Sequence, residues 1–182
     1  IVTLLEPGAG NIVNSISSFT ATDAFSNQIS GADSLYQTIA CSFDPNDKSV
    51  APEGFSASHF VTMNTELDYL IRFQNTGNDT AYTVLVVDTI DTDLDMASFR
   101  LTATSHPALV TVKSGNIIEF LFNNIYLPDS NVNEPASHGF IMYRIAGNNG
   151  LPDPTEITNS AAIYFDQNPP VITNTVLTTF SD

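Results

Sequence analysis

Positive charge is scarce in this chain. Its 182 residues carry 5 Lys and Arg against 20 Asp and Glu, a formal charge of −15. A surface of that sign repels nucleic acid and anionic lipid, so neither is an expected partner and no membrane insertion is expected. Cys41 is the one cysteine, which excludes an internal disulfide framework. Tryptophan is absent as well, and the lack of it and of a cysteine pair argues against an antibody-type domain. No apolar run approaches the roughly 18 residues that a membrane span requires. Sustained apolar stripes of helical period are missing. So are the G-x-S-x-G elbow, a Gly-rich phosphate loop and H-E-x-x-H, which leaves no catalytic motif and makes an enzyme the least expected class. The chain starts at Ile1 with neither an initiator Met nor a signal-peptide pattern, and we expect a processed product or part of something longer.

What is present is period-two alternation. A hydrophobic fraction of 42% is enough for a real core. Leu67, Tyr69, Ile71 and Phe73 fall on one face of an extended segment, with Asp68, Arg72 and Gln74 on the other. Ile118, Phe120 and Phe122 repeat the pattern, and so do Ile157, Ala161, Ile163 and Phe165. Strands are expected over residues 59–63, 67–74, 81–88, 99–104, 109–113, 117–123, 138–146, 156–165 and 171–179, with a single helical turn over 94–99. Turn signals recur between them, among them Gly77-Asn78, Ser114-Gly115-Asn116 and Asn168-Pro169-Pro170. Many short strands with frequent turns specify an all-β fold, an immunoglobulin-like antiparallel β-sandwich with Greek-key connections.

The stretch DPNDKSVAPEGF, 44–55, reads as a turn punctuated by Pro45, Pro52 and Gly54, and the domain boundary is placed there. Residues 44–182 form the sandwich. Residues 1–43, rich in Ser, Thr, Ala and Asn, read as a β-rich extension or the tail of an upstream domain. Two or three strands are too few to stand alone, so a donor strand completing a neighbour's sheet is one role for them.

Acidic loops are the strongest chemical signal. Asp44, Asn46 and Asp47 open the domain, Asp88, Asp91, Asp93 and Asp95 follow the second core strand, and Asp166 with Asn168 lies near the end. Calcium takes six to eight oxygens of this kind, so Asp44, Asn46, Asp47, Asp88, Asp91 and Asp166 are its candidate ligands. Turn chemistry is the competing explanation, because Asp and Asn side chains bond nearby amides. His59, His106 and His138 each follow a serine, but a triad is a matter of geometry rather than of dipeptides. Tyr82, Tyr126 and Tyr143 are candidates for exposed, carbohydrate-stacking aromatics.

Four blocks carry a family resemblance: DPNDK at 44–48, LDYLIRFQNTGNDTAYTVLVVDTIDTDLD at 67–95, NNIYLPDSNVNEPASHGFIMYRI at 123–145, and ITNSAAIYFDQNPPVITNTV at 157–176. In this order they resemble a conserved repeat domain of Bacteroidota secreted and surface proteins. The resemblance covers about 44–180 and implies an immunoglobulin-like sandwich near the C-terminus of proteins exported by type nine secretion. It implies no catalytic chemistry and no active-site residues. Ser34, Thr80 and Thr89 each sit in an Asp-Ser/Thr-apolar pattern similar to the O-glycosylation sites of that phylum. The expectation is a non-catalytic structural or adhesion module at the cell surface or outside the cell. Its expected partners are adjacent domains or identical subunits, joined in an extracellular fibre. The alternative is a calcium-dependent accessory domain for carbohydrate or another ligand.

Overall fold

The structure is a computed structural model that describes residues 12–22, 28–38 and 45–182, the first two stretches as backbone. The chain divides into two compact units, Ile1–Phe43 and Asp44–Asp182. In the first, β1 (Ile12–Thr22) and β2 (Gln28–Thr38) pair antiparallel with each other, Phe19 opposite Gly31. Ser34 lies on β2, while Cys41 and Asp44 fall outside the described residues.

The second unit is built on the alternation of β5 (Glu66–Gln74), whose Leu67, Tyr69, Ile71 and Phe73 are almost wholly buried. Four strands make the first sheet, in the order β3 (Asp47–Ala51), β5, β10 (His138–Gly147), β7 (Leu94–Thr104). Five make the second: β13 (Val171–Ile172), β12 (Ala161–Phe165), β6 (Ala81–Thr89), β9 (Ile117–Leu127) and β8 (Leu109–Lys113). A third group, β11 (Thr155–Asn159), β14 (Val176–Phe180) and β4 (Phe60–Val61), adds Ile157, Phe180 and Val61 to the same core. Between the four- and five-stranded sheets the chain crosses from β5 to β6, β6 to β7, β7 to β8 and β9 to β10, the crossing connections of an immunoglobulin-like sandwich.

Aromatic rings lock the inner faces together. Phe73 of β5 meets Phe122 of β9 with ring centroids 5.2 Å apart, and Phe120 of β9 meets Tyr143 of β10 at 6.1 Å. Each buried aromatic contributes on the order of 2 kcal/mol through the surface it removes from water. Gly139 of β10 is opposite Phe73, and a Cβ there would stand 2.1 Å from the ring, so only glycine leaves room for it.

Four expectations are corrected. Residues 47–51, inside the supposed turn, are strand β3, because Asp47 to Ala51 pair with Arg72 to Asp68 of β5. Residues 94–99 belong to β7 rather than to a helical turn, since Leu94 and Asp95 pair with Gly147 and Ala146 of β10. The expected strands 156–165 and 171–179 are each two strands in different sheets, changing over at Ser160 between β11 and β12 and across 173–175 between β13 and β14. The helical residues of this unit are the short turn α1 (Ser130–Asn133), capped by Asp129, and the 3-10 turn Glu134–Ala136.

Candidate functional site

Polar residues occupy the inner face where the alternation should have placed apolar ones. Val50 of β3 faces inward, and so does Lys48 two residues before it. On β6 the buried run Val84, Val86 ends in Asp88, and on β11 Thr155 and Ile157 are followed by Asn159. On β10, Tyr143 lies between Ile141 and Ile145. Lys48, Asp88, Tyr143 and Asn159 are 1%, 0%, 0% and 3% exposed, so the cluster is sealed from solvent.

Lys48 Nζ donates to Asp88 Oδ2 at 2.5 Å and to Tyr143 Oη at 3.2 Å. Tyr143 Oη donates to the same carboxylate oxygen at 2.7 Å, and Asn159 Nδ2 donates to Tyr143 Oη at 3.2 Å. The amine and the carboxamide thus share one hydroxyl. Tyr69 stacks on Tyr143 at 5.2 Å, and Lys48 Nζ sits 4.8 Å from the centre of the Tyr69 ring. Among the described residues two buried side-chain oxygens have no hydrogen-bond partner, Asp88 Oδ1 and Asn159 Oδ1.

Burial removes the solvation that an ammonium needs and lowers the Lys48 pKa from 10.5 to about 8, although the Asp88 charge and hydrogen bond oppose the shift. The Tyr143 hydroxyl is pushed well above its usual range by burial first and the Asp88 charge second, and Tyr69 moves the same way. The cluster's backbone is held as firmly. Lys48 N donates to Asn174 Oδ1 at 2.8 Å, and Asn174 Nδ2 donates to Lys48 O at 2.9 Å, so one side chain continues the β3 ladder.

Of the candidate calcium ligands, Asp88 lies inside this cluster, a correction to its reading as a loop residue: it ends the buried face of β6. Asp47 points the other way, paired with Arg72, and Asn46 Oδ1 accepts from Gln74 N. Asp91 accepts from Asp93 N within its own turn, and Asp166 accepts from Tyr82 N and Thr83 N. Among the described residues no group of three or more His, Cys, Asp or Glu is arranged to hold a metal ion.

Ser105 Oγ lies 2.9 Å from His106 Nδ1, but the hydroxyl also meets the backbone of Phe140, and the pair is a strand-end tie. Tyr143 is not an exposed aromatic. Tyr82 and Tyr126 are, at 56% and 59%, and they form an edge-to-face pair with centroids 5.6 Å apart. Thr89 is exposed and Thr80 half-buried. Lys48 and Asn159 lie within two of the resembling blocks, but their place in the core is legible only as polar side chains in the register of an apolar face.

The fold and the sealed cluster define a β-sandwich domain with an internal polar tie. Residues 44–179 match the family described as a domain of unknown function, DUF7619, and the chain belongs to that family. No curated protein matches the chain significantly. Among solved structures it is similar to BcpA, the major pilin subunit of Bacillus cereus, at 12% identity and a TM-score of 0.51, covering 90% of this chain and 48% of that one. It is also similar to domains D2 and D3 of the major pilin SpaD from Corynebacterium diphtheriae, at 16% identity and a TM-score of 0.52, covering 72% and 51%. The collagen-binding domain of a Staphylococcus aureus adhesin matches at 12% identity and a TM-score of 0.45, covering 78% and all of that chain. The chain spans about half the length of the two pilin structures it resembles. At these identities the likeness is one of fold.

Proposed function

We propose that this domain is a non-catalytic structural or adhesion module of a secreted or cell-surface protein. In this reading it joins adjacent domains or identical copies into an extracellular fibre. The observation that carries the reading is that the Lys48–Asp88 cluster is closed: with Lys48 and Asp88 at 1% and 0% exposure, no diffusing substrate reaches it. Such chemistry serves the framework itself. The fold shared with two pilin structures supports the same reading, as does a surface charge suited to salt-rich surroundings. The resemblance to Bacteroidota repeat domains adds type nine secretion as the export route, and the β1–β2 unit is the natural donor for a neighbour's sheet edge. The test is location and assembly in the native organism. Antibody against the domain should label intact cells, and the native material should appear as chains of density in negative stain. Label confined to lysed cells, with a monomer in the images, would overturn the proposal.

A second reading rests on the Tyr82–Tyr126 pair. Tyr126 and Asn124 hold φ of 51° and 55°, where a bulky side chain is strained, and the register slips between Ala81 and Thr83 so that β9 bulges beside Tyr82. Two exposed rings fixed in this way form a stacking surface for a sugar. Under this reading the domain is a carbohydrate-binding accessory. A glycan array should then show binding that Tyr82→Ala and Tyr126→Ala both abolish, and a blank array in the presence of calcium would remove it.

A further inference from the structure

An amine, a carboxylic acid and a carboxamide, buried together in one core cluster, are the reactants and the acid–base group of an amide exchange. Lys48 supplies the amine and Asp88 the carboxylate at 2.5 Å, while Asn159 and Lys48 each lie within 3.2 Å of Tyr143 Oη. We propose that Lys48 Nζ and Asn159 Cγ become joined by an intramolecular amide bond, formed by the protein on itself with Asp88 as the acid–base group and ammonia as the leaving group. The reaction happens once per chain, and no external substrate takes part.

The step balances without an oxidant or a co-reactant. The Lys48 ammonium passes one proton to Asp88, to which it is already hydrogen-bonded. The neutral Nζ lone pair then attacks Asn159 Cγ, and the carbonyl electron pair moves onto Oδ1. A second proton leaves Nζ and reaches Nδ2 through the carboxyl group. The Cγ–Nδ2 bond breaks, the electron pair returns from Oδ1, and ammonia departs. The product is one secondary amide, with Asp88 left protonated and no net charge in the core.

Three observations favour this over a static ion pair. Desolvation brings Lys48 down to about 8, so the nucleophilic free amine is accessible near neutral pH. Both orphan acceptors have a part in the reaction: a proton on Asp88 Oδ1 makes it a donor, and Asn159 Oδ1 is the oxygen on which negative charge develops during attack. The strands also fix the reactants before reaction. Asn174 ties the β3 backbone at Lys48, and Asn159 is paired with Val176 two residues on. A depression of about 460 Å³ whose lining includes Asn159 and Ser160 gives the ammonia a way out. Lys113, the other lysine, is half-exposed and paired with Glu119.

The experiment is a mass measurement on the intact, unfolded chain followed by a tryptic map. The expected mass falls short of the sequence mass by one ammonia. A succinimide at Asn149-Gly150 would give the same deficit, so the map decides between them. An amidated Lys48 resists trypsin, and residues 1–72 should be recovered covalently joined to residues 145–182. Release of a free peptide 1–48 from chain of full sequence mass, or from chain carrying the deficit, would overturn the proposal. Asp88→Asn should keep the full sequence mass and release 1–48. If that variant carries the branched peptide, the acid–base role of Asp88 is overturned, and a variant that fails to fold leaves the wild-type map to decide the bond. The inference does not depend on where the protein resides or what it binds.

Discussion

Asp47 and Arg72, opposite one another in β3 and β5, form a two-pronged ion pair on the outer face of the four-stranded sheet, with Nε–Oδ1 at 2.7 Å and Nη2–Oδ2 at 2.5 Å. Lys48, the next residue, points to the other face. The hydrogen bond and charge of Asp47 raise the Arg72 pKa. The Asp47 side chain is 9% exposed, so removing the arginine strands a largely desolvated carboxylate. We expect Arg72→Ala to cost about 1–2 kcal/mol in urea unfolding, and a double-mutant cycle with Asp47→Ala to give a coupling of about 1 kcal/mol or less that weakens with salt. A zero coupling at low salt would show that the pair does not hold β3 to its sheet.

Alkaline pH separates the free from the joined form of Lys48. Its folded pKa of about 8 lies below the unfolded 10.5, so between those values the unfolded chain binds more protons and stability rises with pH. Tyr69 and Tyr143 have the opposite sign, because folding holds their hydroxyls protonated. Their contribution is lost as pH climbs beyond their unfolded value of 10.0. An Asn159→Ala chain, which cannot be joined, should therefore gain on the order of 1–3 kcal/mol from pH 8 to 10 and lose it above. In wild type the nitrogen is an amide, and denaturant titrations should show no such rise.

Gly139 is expected to be intolerant. Alanine there would put its Cβ 2.1 Å from the Phe73 ring, and that ring is itself packed against Phe122. Gly139→Ala should cost at least 1–3 kcal/mol. Adding Phe73→Leu, which clears the space, should recover part of the loss in the same thermal melts. An unchanged melting temperature in the single variant would contradict the packing.

Chelation should leave the melt alone. Asp88 Oδ2 is occupied by a lysine and a tyrosine and Asp88 Oδ1 is buried, while Asp47 is occupied by an arginine and Asp166 by two backbone amides. A cation would have to displace these donors before binding. A drop of several degrees in melting temperature with EDTA, reversed by calcium, would instead make calcium a structural ligand of this domain.

The sandwich was legible because alternation is a local property: Leu67 to Phe73 declare an inner face without reference to any other strand. Strand β3 was hidden by Pro45, Pro52 and Gly54, whose turn chemistry masks five residues that pair only when β5 is present. The 94–99 segment lost its helical reading for the same reason, because its partner β10 is about 50 residues downstream. Asp88 adjoins Asp91, Asp93 and Asp95 in sequence as if in one acidic loop, although its register belongs with Val84 and Val86. Asn159 interrupts the apolar run Ile157, Ala161, Ile163 that marks its face. The polar cluster draws on β3, β6, β10 and β11, and no spacing rule connects positions 48, 88, 143 and 159. What betrays each is a hydrophilic residue where period two demands an apolar one.

The placement of Asn174, hydrogen-bonded through its carboxamide to both sides of the Lys48 peptide, has a mechanical meaning. It sets the first strand of the unit beside the segment leading into the last. A pull on the two chain ends therefore arrives at neighbouring positions. With Lys48 and Asn159 joined, tension entering at β3 would cross directly to β11, and residues 49–158 would form a loop off the line of force. Stretched without the bond, that loop would release on the order of 400 Å of chain. With the bond, a single-molecule trace of the domain should show only the short ends lengthening.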